Sequence, residues 1–124
     1  MVVVRIAALA AICTLLPTLT ATGDERLAIR VTPAIAPAPA FVVVRAVVAV
    51  DPDNRMLEVS AESGDFYASS QVPLDGERSP RTSEVRFAGL PSGVYRVSAT
   101  LVGSQGPRAA ASSSIIVARS PGER

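Results

Sequence analysis

The chain has 124 residues, room for one domain and no second core. All twelve basic residues are arginine, and against eleven carboxylates they leave a formal net charge of +1, so no field draws the protein to nucleic acid. Lysine and histidine are absent, which removes the Ser-His-Asp triad, imidazole bases, ordinary zinc and copper sites, Schiff bases and a P-loop lysine.

The opening MVVVRIAALAAICTLLPTLTATGDE carries one early charge, Arg5, then an apolar run from Ile6 to Leu16, Pro17, and small residues leading into Asp24. That layout predicts a secretory signal peptide over 1–23, ending at Gly23 or Ala21. A membrane span needs roughly 20 apolar residues, more than Arg5 and Pro17 leave between them. The one cysteine, Cys13, falls inside this segment behind Ile12, where lipoprotein processing sites usually present Gly or Ala. The exported chain would then lack cysteine and the disulfides it could form. Loss of Arg5 leaves eleven arginines against eleven carboxylates. The expected organisation is a leader over 1–23, one domain over 24–118 and a polar tail over 119–124.

Beyond the leader the hydrophobic period is two. RLAIRV (26–31) alternates Leu27, Ile29 and Val31 with Arg26, Ala28 and Arg30, a half-buried strand. TPAIAPAPA (32–40) holds three prolines and forbids both helix and central strand; it reads either as a linker or as a kinked first strand crossing between sheets, the reading preferred here. FVVVRAVVAV (41–50) is β-branched and apolar on nearly both faces, as a central strand requires. DPDN (51–54) is turn chemistry, and RMLEVSAES (55–63) alternates again with Leu57, Val59 and Ala61 inward. DFYASSQVPL (65–74) predicts an irregular edge strand ended by Pro73, DGERSPRT (75–82) a charged loop, and SEVRFAGL (83–90) a further strand. After the turn at Pro91, Ser92 and Gly93, residues Tyr95, Val97, Ala99 and Leu101 share one face of a long strand. GSQGP (103–107) turns the chain into a last strand over 108–120.

About seven short strands suit an immunoglobulin-like sandwich. In such sandwiches a Tyr near the start of the penultimate strand buries its ring and hydrogen-bonds the preceding corner, and Tyr95 is placed to do so, with Leu90 packing below the turn and Gly93 giving the backbone freedom. GLPSGVYRVSATL (89–101) resembles the Leu-Pro-x-Gly-x-Tyr corner shared by bacterial immunoglobulin-like and carboxypeptidase-regulatory-like (prealbumin-type) sandwich domains, a likeness extending loosely over 26–118. The resemblance implies an all-β sandwich of about seven antiparallel strands and says almost nothing about function. Some pilin and adhesin sandwiches with a similar corner carry a Lys–Asn isopeptide bond, excluded here because the chain has no Lys and Asn54 is its one Asn. Fibronectin-type domains usually have a core Trp, also missing.

Candidate sites are few. DPDN groups Asp51, Asp53 and Asn54, oxygens that calcium uses, but too few for a site without help from Glu58 or Asp75; a plain turn is the simpler reading. Glu58 and Glu62 lie about 13 Å apart along a strand, too far for a glycosidase pair. No metal or cofactor is expected. The preferred binding candidates are Phe66 and Tyr67, which point to opposite sides of a strand, with Arg78 and Arg81 on the neighbouring loop; the alternative is that both rings cover the sandwich edge and the arginines stay solvated. The sequence therefore predicts a secreted or periplasmic bacterial protein, not an enzyme: a non-catalytic binding or structural module acting through a sheet edge and the 63–82 region. Its expected partner is an envelope or extracellular protein or polymer. A small secreted inhibitor or accessory subunit is the alternative, and a carboxylate-based hydrolase the third reading.

Overall fold

A computed structural model describes residues 25–120; the expected leader 1–23, with Cys13, and the tail beyond 120 lie outside them. Alternating burial organises eight strands: β1 (Leu27–Thr32), β2 (Ile35–Pro37), β3 (Ala40–Val48), β4 (Met56–Glu62), β5 (Tyr67–Pro73), β6 (Thr82–Leu90), β7 (Gly93–Gly103) and β8 (Gly106–Ala118). They form a three-stranded sheet, β1-β3-β6, and a five-stranded sheet, β2-β8-β7-β4-β5. The protein is an all-β, immunoglobulin-like sandwich.

The inward parity of each strand builds the core between the sheets. Leu27, Ile29 and Val31 of β1, Val42, Val44, Ala46 and Val48 of β3, and Val85, Phe87 and Leu90 of β6 are all buried. They meet Leu57, Val59 and Ala61 of β4, Tyr95, Val97, Ala99 and Leu101 of β7, and Ile115 and Val117 of β8. β3, the strand apolar on nearly both faces, is the centre of its sheet, paired antiparallel with β1 and β6.

The proline-rich stretch is not a linker. It leaves the three-stranded sheet after β1, pairs parallel with β8 as the short edge strand β2, and returns to the first sheet as β3. Ile116 N–H donates to Ala34 O at 2.9 Å and Ala38 N–H to Ala118 O at 2.8 Å, so backbone bonds hold the crossing segment at both ends. This is the eighth strand that periodicity alone does not show: three residues are too few to display a period, and a proline-bearing strand is tolerated here because it lies at an edge. It also makes one pair of an otherwise antiparallel fold parallel.

Gly103, at the end of β7, sets how one end of the sandwich closes. A Cβ there would overlap Asp53 Oδ2 and come within 2.9 Å of Asp53 O, so only glycine lets the 51–54 turn lie against this strand.

Candidate functional site

Four places gather polar or exposed apolar groups: the two ends of the sandwich and the outer faces of the two sheets.

At the first end, the 51–54 turn folds over the start of β8. Arg108 donates from Nη1 to Asn54 Oδ1 at 2.7 Å and from Nη2 to Asp51 Oδ2 at 3.0 Å, while its Nε lies 3.7 Å from Asp53 Oδ2. Asn54 is buried and donates through Nδ2 to Ala49 O at 2.9 Å. Asp51 Oδ1 accepts from Asp53 N–H at 2.8 Å, and Asp53 Oδ1 accepts from Ser104 N–H at 3.2 Å. These bonds lower both carboxyl pKa values: chiefly the Asp53 N–H in the case of Asp51, and the Ser104 hydroxyl and N–H in the case of Asp53, with Arg108 adding to each. The oxygens considered above as calcium ligands thus face a guanidinium and backbone donors. Among the described residues no three His, Cys, Asp or Glu side chains group to hold a metal.

At the other end, Tyr95 is fully buried and its hydroxyl donates to Pro91 O at 2.7 Å. Burial pushes its phenol above the ordinary value. Leu90 is buried below the turn, and Gly93 opens β7 at φ +154°. Phe66 lies edge-on to Tyr95 with ring centroids 6.2 Å apart and is partly buried against the core, whereas Tyr67 stands 63% exposed.

Phe66, Tyr67, Arg78 and Arg81 do not converge. Tyr67 begins β5, opposite Glu62, while Arg78 and Arg81 follow the far end of that strand, roughly 20 Å away at the rise of an extended chain. Phe66 belongs to the core around Tyr95, so only Tyr67 of the four contributes to the surface described next.

The outer face of the five-stranded sheet is built in rows by the strand register. One row is apolar: Ile35, Ile116 and Val94 are successive register partners across β2, β8 and β7 and are 65%, 45% and 68% exposed. The next runs Ser114, Arg96, Glu62 and Tyr67 across β8, β7, β4 and β5. A third consists of Ser112, Ser98, Ser60 and Ser69, and a fourth of Ala110, Thr100, Glu58 and Gln71. Gln71 Nε2 reaches Glu58 Oε2 at 3.4 Å. A shallow depression lies between Val94, Arg96 and Ser114 on one side and Glu62, Ser63 and Gly64 on the other. Sequence parity marks these side chains as outward. It does not show that Ile35, Ile116 and Val94 are neighbours, because that depends on the crossing of β2.

No family model matches the chain, and no curated protein matches it. Solved structures do. The superoxide reductase (neelaredoxin) of Ignicoccus hospitalis is similar at 17% identity and a TM-score of 0.56, over 79% of this chain and 83% of that one. A variant of the same enzyme is similar at 16% identity and a TM-score of 0.57, over 78% and 82% of the two chains. A CARDB domain from Pyrococcus furiosus gives 16% identity and a TM-score of 0.41 over 83% of this chain and all of the other.

The two superoxide reductase likenesses carry fold and correct one expectation. The expectation of a non-catalytic module working through a sheet edge and the 63–82 region rests on a sandwich architecture with little catalytic chemistry. Chains sharing the architecture over four fifths of their length are an enzyme, so the step from sandwich to non-catalytic role fails. The inhibitor or accessory-subunit alternative, also a non-catalytic role, rested on the same step and falls with it. Nor does the likeness carry that enzyme's activity across, since fold and function are separable at this identity.

Proposed function

We propose that this protein is an exported immunoglobulin-like domain that recognises a macromolecule of the cell envelope or extracellular space through the outer face of its five-stranded sheet. The observation that carries the reading is the contiguous row of Ile35, Ile116 and Val94, three large apolar side chains held side by side in water. Such a row with a polar surround is the mark of an interaction surface. Tyr67 at the other side of the sheet and Arg96 between them are residue types enriched at interface hot spots. Ser60, Ser69, Ser98 and Ser112 lose little rotamer freedom on contact, which lowers the entropic cost of covering this face.

Export to the periplasm or beyond rests on the leader-like segment over 1–23. Among the described residues no helix is long and apolar enough to cross a membrane. Within the immunoglobulin-like class, the corner built by Leu90, Pro91, Gly93 and Tyr95 supports placing the chain with the carboxypeptidase-regulatory-like (prealbumin-type) domains.

The test is a pair of charge insertions on opposite faces. In native extracts of the source cells, Val94→Asp should release the chain from its assembly, while Phe41→Asp, on the outer face of the other sheet, should leave the assembly intact. Equal behaviour of the two variants would overturn the assignment of the face.

A further inference from the structure

We propose that the occupant of this face is a second copy of the chain, packed face to face about a two-fold axis that runs along the strands between β4 and β7. The inference rests on the recognition face proposed above and names its partner. A two-fold interface must be complementary to itself. Such an axis sets β7 of one copy over β4 of the other, and β8 over β5.

Charge satisfies that condition first. Arg96 and Glu62 are register partners on this face, both exposed, and no ion pair joins them to each other or to any other described residue. The axis places each Arg96 over Glu62 of the other copy, forming two charge-assisted pairs. Relief satisfies it next. Val94, 68% exposed, comes over Gly64 of the other copy, whose surroundings are open where a side chain would sit. Gly64 forms part of the shallow depression beside Glu62 and Ser63, so Val94 of each copy has a hollow to enter. Tyr67 comes over Ser114, Ser98 over Ser60, and Ser112 over Ser69, pairing large with small or small with small along the rows. Side chains of hydroxyl size let two sheets approach to about 10 Å.

The opposite face lacks this property. Its row Arg30, Arg45, Glu84 and the adjacent Arg86 present three arginines to one carboxylate, with Glu84 bonded to Arg45 at 2.6 Å and to Arg86 at 3.3 Å. A two-fold axis along β3 would set Arg45 over Arg45 of the other copy, and Arg30 over a Glu84 already engaged by Arg45 and Arg86. The four strands from β8 to β5 offer a face roughly 20 Å on a side, which places the contact at the small end of specific interfaces and makes it reversible and concentration-dependent.

Sedimentation of the purified protein over a range of concentrations at low salt tests the proposal. The expected result is a monomer–dimer equilibrium that Glu62→Arg alone and Arg96→Glu alone each weaken roughly tenfold or more, because each variant sets like charges across the axis twice. Mixing the two variants in equal amounts should restore the dimer, since every pair is then opposite in charge. Both positions are exposed, and unchanged thermal melting shows that the variants fold. A wild-type chain that stays monomeric throughout, single variants that dimerise as well as wild type, or a mixture that stays monomeric would each overturn the second-copy assignment. If the wild type is monomeric while Val94→Asp still dissolves the assembly in extracts, the recognition face stands and its partner is another molecule. If Val94→Asp changes neither extracts nor sedimentation, both readings fall.

Discussion

At the scale of single residues, stability at the two ends of the sandwich depends on one phenol and one guanidinium. The Tyr95 hydroxyl is buried with Pro91 O as its acceptor at 2.7 Å, so Tyr95→Phe removes a bond without opening a cavity. We expect a loss of about 1 kcal/mol, read as a lower urea midpoint at unchanged slope; an unchanged midpoint would show that this bond contributes nothing. Arg108 holds Asp51, Asp53 and Asn54 with a side chain only 19% exposed, whereas Arg86 pairs with Glu84 in open solvent at 63% exposure. Arg108→Met should therefore lower Tm clearly more than Arg86→Met, since a surface pair contributes little and a partly buried network leaves polar groups unpartnered when one member is lost.

The same network sets a pH dependence. Folding lowers the carboxyl pKa values of Asp51 and Asp53, so in acid the unfolded chain binds more protons than the folded one. Their contribution is present in full above the unfolded value, about 3.9, and is lost as pH falls below it through the folded values. Comparing thermal melts of wild type and an Asp51→Asn, Asp53→Asn double variant from pH 6 downward should show the two curves converging at the acid end; parallel curves would mean that these carboxylates are not the groups concerned.

At the scale of elements, the strands are legible because burial follows sequence parity. Leu57, Val59 and Ala61 of β4, and Tyr95, Val97, Ala99 and Leu101 of β7, point inward as alternation requires. Pairing is not legible, because period two says nothing about which strand lies beside which. β2 lies along β8, some eighty residues later in the chain, and Arg108 reaches Asp51 across 57 positions. The candidate site suffered for the same reason: Phe66, Tyr67, Arg78 and Arg81 are close in sequence, but β5 carries the chain from one end of the sandwich to the other between them. Gly103 shows how tightly two elements can depend on one position. Gly103→Ala would push a methyl into Asp53 and displace the turn that Arg108 holds, so we expect it to destabilise the fold more than Gly64→Ala, where the added Cβ meets open space. Similar denaturation midpoints for the two variants would contradict this packing.

At the scale of the whole molecule, the two outer faces differ in kind. The three-stranded face carries Arg30, Arg45 and Arg86 around Glu84, with Phe41 and Val47 exposed as well. The five-stranded face gathers Ile35, Ile116 and Val94 into one row and sets Arg96 beside Glu62 in the next. Exposed apolar area is therefore not confined to one side, and what singles out the five-stranded face is contiguity across register partners joined to a charge pattern that complements itself. The measurement that separates the faces most directly is radical footprinting of the protein in the source cells, compared with the purified chain at high dilution. Protection of Val94, Ile116 and Tyr67 in the cells, with Phe41 and Val47 labelled equally in both samples, is the result expected of a face covered from β8 to β5. Labelling of Val94 and Ile116 that does not change between the samples, or protection falling on Phe41 and Val47 instead, would contradict it.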